Sequence, residues 1–408
     1  MADRYLAPSG KLVGLPEKQL VWRAVEEAWF TEGHFTDAFE KRLAEFVGVR
    51  HASFCNSGSS ANLLAVLAMK EMFDAPHRNE VVTAACGFPT TLNPILQAGL
   101  RPVLVDIELG TYVPTLEAVK EAVTPATAFV VLAHTLGNPA PIAGLSEWLA
   151  GQHGIGLIED NCDALGSVLH GKRTGSFGMF ATQSFYPAHH ITTGEGGAVL
   201  INHGPRTKRI VESYRDWGRD CWCAPGKDNT CNQRFGWKFD GLPPGYDHKY
   251  VYTRIGYNLK ATDMQAALGL AQLDRLEGFI ATRRANFAFL LKALEECADQ
   301  LILPEATADS EPSWFGFPIT LRNPHADCSA FVQHLEAMGI GTRRLFGGSL
   351  VRQPAYRHVF GEGEGLRFPN SERTTTSTFW VGVWPGLTER DMERIAQGIR
   401  SACVKVPC

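Results

Sequence analysis

The sequence predicts an α/β protein, with a mainly parallel sheet in a large domain and a small C-terminal α/β domain after it. Between about residues 54 and 200, short apolar runs alternate with stretches of helical spacing, as expected for parallel sheets. The length of 408 residues suits one large core and one smaller core. A composition of 45% hydrophobic and 20% charged residues is ordinary for a globular protein.

Five apolar runs have the composition of buried strands. They span residues 80–85, 101–107, 128–134, 154–160 and 196–201. Helical spacing predicts helices over residues 62–73, 116–123, 261–294 and 328–339. A further strand is expected over 313–321. Because ligands of such sheets bind beyond the carboxyl ends of the strands, the residues that follow each strand are candidates for a site.

We expect the large domain to span residues 1–280 and the small domain residues 281–408. Residues 215–254 interrupt the regular alternation, because they are rich in Gly, Pro, Cys and aromatic residues and have no clear period. A loop of this length is usually functional or disordered, and its aromatic residues argue against disorder. The sequence therefore predicts a functional Cys-rich insertion in the large domain.

The charge and the apolar runs limit the class of partner. A formal net charge of −4 implies no broad attraction to nucleic acid. The first residues lack the layout of a signal peptide, and no apolar run reaches the ~18 residues that a membrane span needs. We expect a cytoplasmic enzyme that binds neither nucleic acid nor membranes. In a reducing compartment, its ten cysteines are not expected to form disulfides.

The segment "NSGSSANLLAV" (56–66) places glycine and serine directly before a predicted helix. The free N–H groups and the dipole at a helix start favour a phosphate. Gly58 would let the backbone approach a phosphate closely, and Ser59 and Ser60 would add hydroxyl donors. The alternative is an ordinary serine N-cap.

The segment "LIEDNCDALGS" (157–167) ends a predicted strand with Glu159 and Asp160. A carboxylate at this edge of the sheet can pair with the pyridine nitrogen of a pyridoxal-type cofactor. The alternative is a solvated strand end. Phe88 follows another strand and can stack on a flat cofactor, although a loop aromatic can equally be packed in the protein.

The segment "SFYPAHHITTGEGGAV" (184–199) has the shape of a loop that carries a cofactor-binding lysine. A serine and aromatic residues precede a glycine-rich turn and an apolar run. However, the segment contains no lysine. His189 and His190 occupy the place where the amine is expected.

Taken in order, these segments resemble the DegT/DnrJ/EryC1/StrS sugar aminotransferase family, which has the PLP-dependent transferase fold type I of aspartate aminotransferase. The likeness runs over nearly the whole chain and includes "SGSSAN", "GFPTT", "IEDNCDALGS" and "RIGYNLKATDMQAALGLAQL". It implies that Gly58, Ser59 and Ser184 bind the cofactor phosphate. It also implies that Phe88 stacks on the cofactor ring.

The resemblance assigns three further residues. Asp160 would pair with the pyridine nitrogen. Asp163 occupies the position from which the family usually sends a glutamine towards the ring hydroxyl. Asn258, in "GYN", would reach a phosphate across the interface of a homodimer.

The departure from the family is at the lysine position, which His189 occupies. Histidine cannot form a stable Schiff base with pyridoxal phosphate (PLP), but it can move a proton near neutral pH. The cofactor is therefore expected as the amine, pyridoxamine 5′-phosphate (PMP), held without a covalent bond, with His189 as the catalytic residue. This exchange resembles the 3-dehydrases of nucleotide-linked 4-keto-6-deoxy sugars. The alternative is an aminotransferase that has lost its activity.

The 3-dehydrases are of two types, and the cysteines bear on the choice. One type regenerates PMP with glutamate, whereas the other adds an iron–sulfur cluster and takes electrons from a reductase. Cys221, Cys223 and Cys231 form a C-x-C-x7-C pattern in the insertion, and Cys162 lies beside Asp160. Four thiolates are the usual complement of a 2Fe–2S cluster. Zinc and packed, unliganded thiols are the alternatives.

The resemblance to the iron–sulfur type, CDP-4-keto-6-deoxy-D-glucose-3-dehydrase, implies a substrate and a partner. The substrate would be a CDP- or TDP-linked 4-keto-6-deoxyhexose that loses its C3 hydroxyl. A flavin and iron–sulfur NAD(P)H reductase would supply the electrons. The competing hypotheses are a glutamate-coupled 3-dehydratase without a functional cluster and a non-catalytic sugar-nucleotide-binding regulator.

Overall fold

A computed structural model describes residues 4–73, 75, 77–152, 154–361 and 363–406. The strands are β1 (His51–Cys55), β2 (Glu80–Ala84), β3 (Arg101–Val105), β4 (Thr127–Ala133), β5 (Gly156–Asp160), β6 (Val168–Leu169), β7 (Lys172–Arg173), β8 (Phe180–Ser184), β9 (Gly197–Ile201), β10 (Leu301–Ile302), β11 (Ser310–Glu311), β12 (Gly316–Leu321), β13 (Thr342–Arg344) and β14 (Thr378–Gly382).

The helices alternate with the strands through most of the chain. They are α1 (Leu15–Glu26), α2 (His34–Val47), α3 (Gly58–Met72), α4 (Pro89–Gln97), α5 (Leu116–Ala122), α6 (Ile142–Ala150), α7 (Pro205–Arg215), α8 (Asp263–Leu273), α9 (Leu276–Ala293), α10 (Cys328–Ala337), α11 (Arg357–Phe360), α12 (Pro369–Ser377) and α13 (Glu389–Lys405).

The main sheet has seven strands in the order β1-β9-β8-β5-β4-β2-β3. The strands from β8 to β3 pair in parallel, whereas β9 is antiparallel to both of its neighbours. The predicted α/β class and its mainly parallel sheet are confirmed, and all five predicted strands lie in this sheet. Because β2, β5 and β8 run in the same direction, the residues after them meet at one edge.

The long helix predicted over residues 261–294 is instead two helices, α8 and α9. The chain turns at Asp274 and Arg275, between them. Side chains on both sides of this turn bind helix α1, because Gln272 Nε2 and Arg275 Nη1 donate to Glu17 Oε1 at 2.7 and 2.6 Å. The contact with α1 therefore accompanies a break that helical spacing alone does not reveal.

A second, antiparallel sheet has the order β10-β12-β14-β13, and it has its own apolar core with α9, α10 and α13. Leu6 from the N-terminal segment belongs to this core and pairs with Ile340. Trp384 Nε1 donates to the carbonyl oxygen of Ala7 at 2.9 Å. Strands β11, β6 and β7 form a third, small sheet. The proposed boundary at residues 280 and 281 stays a prediction.

The Cys-rich insertion is irregular, as expected. Within residues 216–254, all of which the structure describes, the one helical element is a 3₁₀ turn at His248–Tyr250. Across the described part of the chain, no helix combines the length and the apolar character needed to cross a membrane.

Candidate active site

Glu159 and Asp160 end strand β5, and their carboxylates have different environments. Glu159 accepts hydrogen bonds from the N–H groups of residues 175, 177 and 178 at 2.7–2.8 Å, and one from His134 Nε2 at 3.1 Å. Asp160 Oδ2 instead accepts from Asn62 Nδ2 at 2.9 Å and from Thr91 Oγ1 at 2.7 Å. Glu159 therefore fastens a loop, and Asp160 remains the candidate partner for a pyridine nitrogen.

The helix start predicted to hold a phosphate lies against the ends of two strands. A Cβ on Gly58 would lie 2.5 Å from Ser184 Cβ, and a Cβ on Gly197 would lie 2.3 Å from the carbonyl carbon of Ser57. Only glycine allows this approach, and it brings the first turn of α3 beside Ser184. Ser57 is the N-cap of this helix, because its Oγ accepts from the Ser60 N–H at 3.1 Å.

The serines of this turn have separate roles. Ser60 Oγ donates to Asn56 Oδ1 at 2.7 Å, so Ser60 is occupied within the turn. Ser59 is exposed in the first turn of the helix. The serine N-cap drawn from the sequence is therefore present at Ser57, and phosphate binding by Gly58, Ser59 and Ser184 stays a prediction.

Phe88 and Asn258 are both exposed. Phe88 follows β2, is 51% exposed, and has one ring contact, an edge-on contact with Phe346 at 6.0 Å. Its ring is thus available at the same edge as Asp160. Asn258 pairs through its backbone with Asp216, and its side chain faces outward from the chain.

His189 lies beside Asp163, with 3.5 Å between Nδ1 and Oδ1. This distance is longer than a strong charged hydrogen bond. Burial and the cation of Arg283 lower the pKa of His189 to about 4, while burial and Asp160 raise the pKa of Asp163 to about 7. His189 is therefore neutral at pH 7 and can accept a proton.

His190 has a different environment from His189. Its side chain is buried, and Nε2 donates to the carbonyl oxygen of Ser313 at 2.7 Å. Burial and Arg283 lower its pKa well below the ordinary value. This ring is engaged by the backbone of another segment, which supports the expectation that His189 carries the proton.

Comparisons with known proteins identify the family of this chain. A model of the DegT/DnrJ/EryC1/StrS aminotransferase family matches residues 14–400. The chain belongs to this family.

Relatives that match along most of the chain include sugar-biosynthesis proteins. One is the lipopolysaccharide biosynthesis protein RfbH of Salmonella typhimurium, 50% identical over 95% of this chain and 89% of its own. Another is the dTDP-4-dehydro-2,6-dideoxy-D-glucose 3-dehydratase of Saccharopolyspora spinosa, 47% identical over 98% of this chain and 87% of its own. Enzymes of deoxysugar biosynthesis are thus among the chain's relatives.

A solved structure confirms the fold. The GDP-4-keto-6-deoxy-D-mannose-3-dehydratase of E. coli, with bound hydrated PLP, has a TM-score of 0.85 and 26% sequence identity, and the match covers 97% of this chain and 100% of that one. The predicted fold, that of the PLP-dependent aminotransferases, is therefore confirmed.

The described residues fit the family's cofactor. The close approach of α3 to β8 and β9 places the first turn of the helix beside Ser184, and the carboxylate of Asp160 lies at the adjoining strand end. Sequence reasoning missed two members of this site, Asn62 and Thr91, which orient Asp160. Asn62 stands in the quoted "SGSSAN", so a polar residue one turn into the helix was the available signal.

The four predicted cluster ligands are not assembled as one set. Cys221, Cys223 and Cys231 line one small pocket, whereas Cys162 is not among its lining residues. Cys162 N–H donates to Asp160 Oδ1 at 3.3 Å, and its Sγ lies 3.9 Å from Thr182 Oγ1. Cys162 is thus fixed at the end of β5. In the part of the chain that the structure describes, no group of three or more Cys, His, Asp or Glu is arranged to hold a metal ion.

The thiols of the pocket differ from Cys162 in acidity. Burial raises the pKa of Cys223, but hydrogen bonds from Thr230 and Cys221 outweigh it and lower that pKa to about 7. Burial raises the pKa of Cys221, and it raises that of Cys162 well above the ordinary value. In this arrangement Cys223 has thiolate character and Cys162 is protonated.

The insertion has a small aromatic core that the sequence did not reveal. His248 is 1% exposed and lines the cysteine pocket. Its ring lies 5.3–5.6 Å from the rings of Trp222, Trp237 and Phe239, and its Nε2 lies 2.7 Å from Asp220 Oδ2. These contacts explain how a segment without strands holds a defined shape.

The cationic side chains of Arg215, Arg219, Arg343 and Arg344 differ in their surroundings. Arg215 is buried and bonded to Glu32, Asp216 and the Phe54 carbonyl, so it does not face a ligand. Arg343 and Arg344 are exposed on β13. The guanidinium of Arg219 stacks 4.9 Å from the Trp217 ring.

Proposed function

We propose that the chain is a PMP-dependent 3-dehydrase of a nucleotide-linked 4-keto-6-deoxyhexose. The observation that carries this proposal is His189, a neutral imidazole beside Asp163 in the loop where the family places its lysine. The relative from Saccharopolyspora spinosa, itself a 3-dehydratase of a dTDP-linked sugar, supports the same reaction class. CDP and TDP remain the proposed nucleotides.

The residues of the site divide the work of binding and proton transfer. When bound, PMP supplies a primary amine for the C4 ketone and a ring that spreads negative charge. Gly58, Ser59 and Ser184 hold its phosphate, and Asp160 keeps the pyridine nitrogen protonated. Phe88 covers the ring.

His189 removes a proton from the C4′ carbon of PMP and returns one to the C3 hydroxyl as it leaves as water. Asp163 stays within reach of His189 Nδ1 and is partly protonated near pH 7. Because a partly protonated carboxyl group stabilises an imidazolium only weakly, Asp163 does not keep the His189 imidazole permanently in its cationic form.

We also propose that Cys162, Cys221, Cys223 and Cys231 bind a 2Fe–2S cluster and that a flavin and iron–sulfur NAD(P)H reductase supplies the two electrons of deoxygenation. The convergence of three thiols on one pocket, one with a pKa of about 7, supports this. The position of Cys162 does not support it, because Cys162 is not among the residues that line this pocket. Cluster binding therefore requires the insertion and the end of β5 to approach each other.

Metal analysis of the protein purified without oxygen tests the cluster. We expect a brown protein with about two irons per chain, and loss of both in Cys223→Ser. Cys297→Ala, in the core of the second sheet, is the control and should keep the iron. An iron-free protein that turns over with glutamate would favour the glutamate-coupled 3-dehydratase instead.

Proton exchange at C4′ of bound PMP tests the catalytic residue. In deuterated water and with the 4-keto sugar nucleotide present, exchange should occur in the wild type and be lost in His189→Asn, while both bind PMP. Retained exchange in the variant would exclude His189 as the base. A wild type with no exchange, and no turnover with reductase and NADH, would favour the non-catalytic regulator.

A further inference from the structure

Arg283, on helix α9, is a buried cation whose hydrogen bonds go to backbone carbonyls. Its side chain is 1% exposed. Nη1 donates to the carbonyl oxygens of Trp314 and Phe315 at 3.1 and 3.2 Å, and Nη2 donates to that of His189 at 3.4 Å. Among the described residues, no carboxylate lies within salt-bridge distance of Arg283, although the charge of Asp163 partly offsets the lowering of the Arg283 pKa by burial.

A buried guanidinium without a carboxylate partner is costly, and an apolar side chain would fill the same space more cheaply. What an apolar residue cannot do is bind carbonyls from two segments at once. One segment is the loop between β8 and β9 that carries His189. The other, residues 313–315, leads into β12 of the second sheet.

The same two segments meet at a second point. His190 Nε2 donates to the Ser313 carbonyl at 2.7 Å. The ring of Phe315 lies 5.2 Å from the ring of His189 and 6.4 Å from that of His190. The histidine pair is therefore held against residues 313–315 by one arginine, one imidazole hydrogen bond and one shared aromatic ring.

We propose that Arg283 is a positioning residue for His189, acting by fastening the His189 carbonyl to the backbone of residues 314–315. The inference rests on the proposed role of His189. A fixed carbonyl limits the directions that the side chain of the same residue can take. Arg283 touches no reacting atom in this view, and it sets where the imidazole points.

Arg283→Met tests the proposal, because it keeps the bulk and removes the hydrogen bonds. We expect C4′ exchange and kcat to fall ~10²-fold, as for a catalytic group displaced by about 1 Å. KM for the sugar nucleotide should change by less than ~threefold, since binding contacts are kept. Arg284→Met is the matched control: Arg284 is the next residue of α9 and donates to the carbonyls of Glu311 and Pro312.

A second readout does not depend on turnover. Diethyl pyrocarbonate modifies neutral imidazoles, and mass spectrometry of the peptide measures its rate at His189. We expect this rate to rise at least ~threefold in Arg283→Met, because local opening exposes a loosened ring, and to stay unchanged in Arg284→Met. An unchanged rate in folded Arg283→Met overturns the proposal, whatever the turnover.

Two further results keep the test decisive. If Arg283→Met does not fold, Arg283→Lys replaces it, since an ammonium lacks the planar fork that binds the carbonyls of two segments. Faster modification of His189 in this variant supports the proposal, and an unchanged rate overturns it. If the wild type shows no C4′ exchange, the proposed function fails, and the modification rates still judge the positioning role.

Discussion

At the scale of single residues, the neighbouring carboxylates of Glu159 and Asp160 on strand β5 have different hydrogen-bond partners. Successive side chains of a strand point to opposite faces, so Glu159 and Asp160 meet different surroundings. The carboxylate of Glu159 accepts hydrogen bonds from three backbone N–H groups, which hold it in place within the protein. Asp160 is held by Asn62 and Thr91, which fix its orientation. This difference supports the role proposed for Asp160 and gives Glu159 a structural role.

Asp160→Asn should remove catalysis without unfolding the protein. Asparagine keeps the size of the side chain but removes the charge that stabilises a protonated pyridine nitrogen. We expect C4′ exchange in bound PMP to fall at least ~10²-fold, the effect of losing one electrostatic partner in an active site. A C4′ exchange rate within ~tenfold of the wild-type rate would contradict the assignment of Asp160 as the partner of the pyridine nitrogen.

Glu159→Gln is the control at the adjacent position. It replaces a carboxylate that accepts three backbone hydrogen bonds, and bonds to charged groups contribute ~1.5–3 kcal/mol each. The free energy of unfolding, measured with urea, should therefore fall in this variant and not in Asp160→Asn. The reverse order of stabilities would mean that the two roles are exchanged.

At the scale of elements, the five apolar runs predicted as buried strands are all strands, but other strands were not predicted. Among these, β1 and β14 are short and largely apolar, whereas β8 carries the polar residues Thr182 and Gln183. Both are buried, and Thr182 Oγ1 donates to Asn62 Oδ1 at 2.7 Å. Strand β8 is polar because its side chains bind other polar residues beside the candidate site. Hydrophobic periodicity therefore does not detect it. The break between α8 and α9 was missed because its contact with α1 is tertiary.

Helix α13 shows how one element depends on pH. Thr388 and Asp391 form a capping box, with the Thr388 N–H donating to Asp391 Oδ2 at 2.8 Å, and Arg4 pairs with the same carboxylate. Burial raises the pKa of Asp391, but the bonds from Arg4 and Thr388 outweigh it and lower that pKa to about 2. The folded state thus binds this proton less tightly than the unfolded state.

The stabilisation from Asp391 is therefore complete above the unfolded pKa of ~4 and is lost as the pH falls through the folded value. Asp391→Asn should lower the free energy of unfolding by ~1 kcal/mol at pH 7, the usual worth of a helix cap. Urea unfolding at pH 7, 5 and 3 should show the deficit shrinking only at the lowest pH. A deficit that grows on acidification would refute the assignment.

At the scale of the whole molecule, the predictable part of the site is the part that follows strands. Asp160, Ser184 and Phe88 each come after or at the end of a strand, so their meeting at one edge follows from the fold class. Arg283 and His248 lie on a helix and in an irregular loop. Their partners come from segments distant in sequence, and no local sequence pattern predicts such contacts.

Asn258 gives a prediction about the assembly. If its side chain completes the site of a second subunit, mixing His189→Asn with Asn258→Asp chains restores one intact site in each mixed dimer. Random pairing then gives about a quarter of wild-type turnover from two inactive parents. No recovery, with mixed dimers confirmed by mass spectrometry, would place Asn258 in the site of its own chain.

The early segment around Leu6 has a consequence for how the protein is made. Leu6 and Ala7 pair with Ile340 and Trp384, which the ribosome adds more than three hundred residues later. Contacts so far apart in sequence close slowly. Until those residues emerge, the early segment lacks its partner. Its apolar surface is therefore exposed for most of synthesis, a condition that favours aggregation.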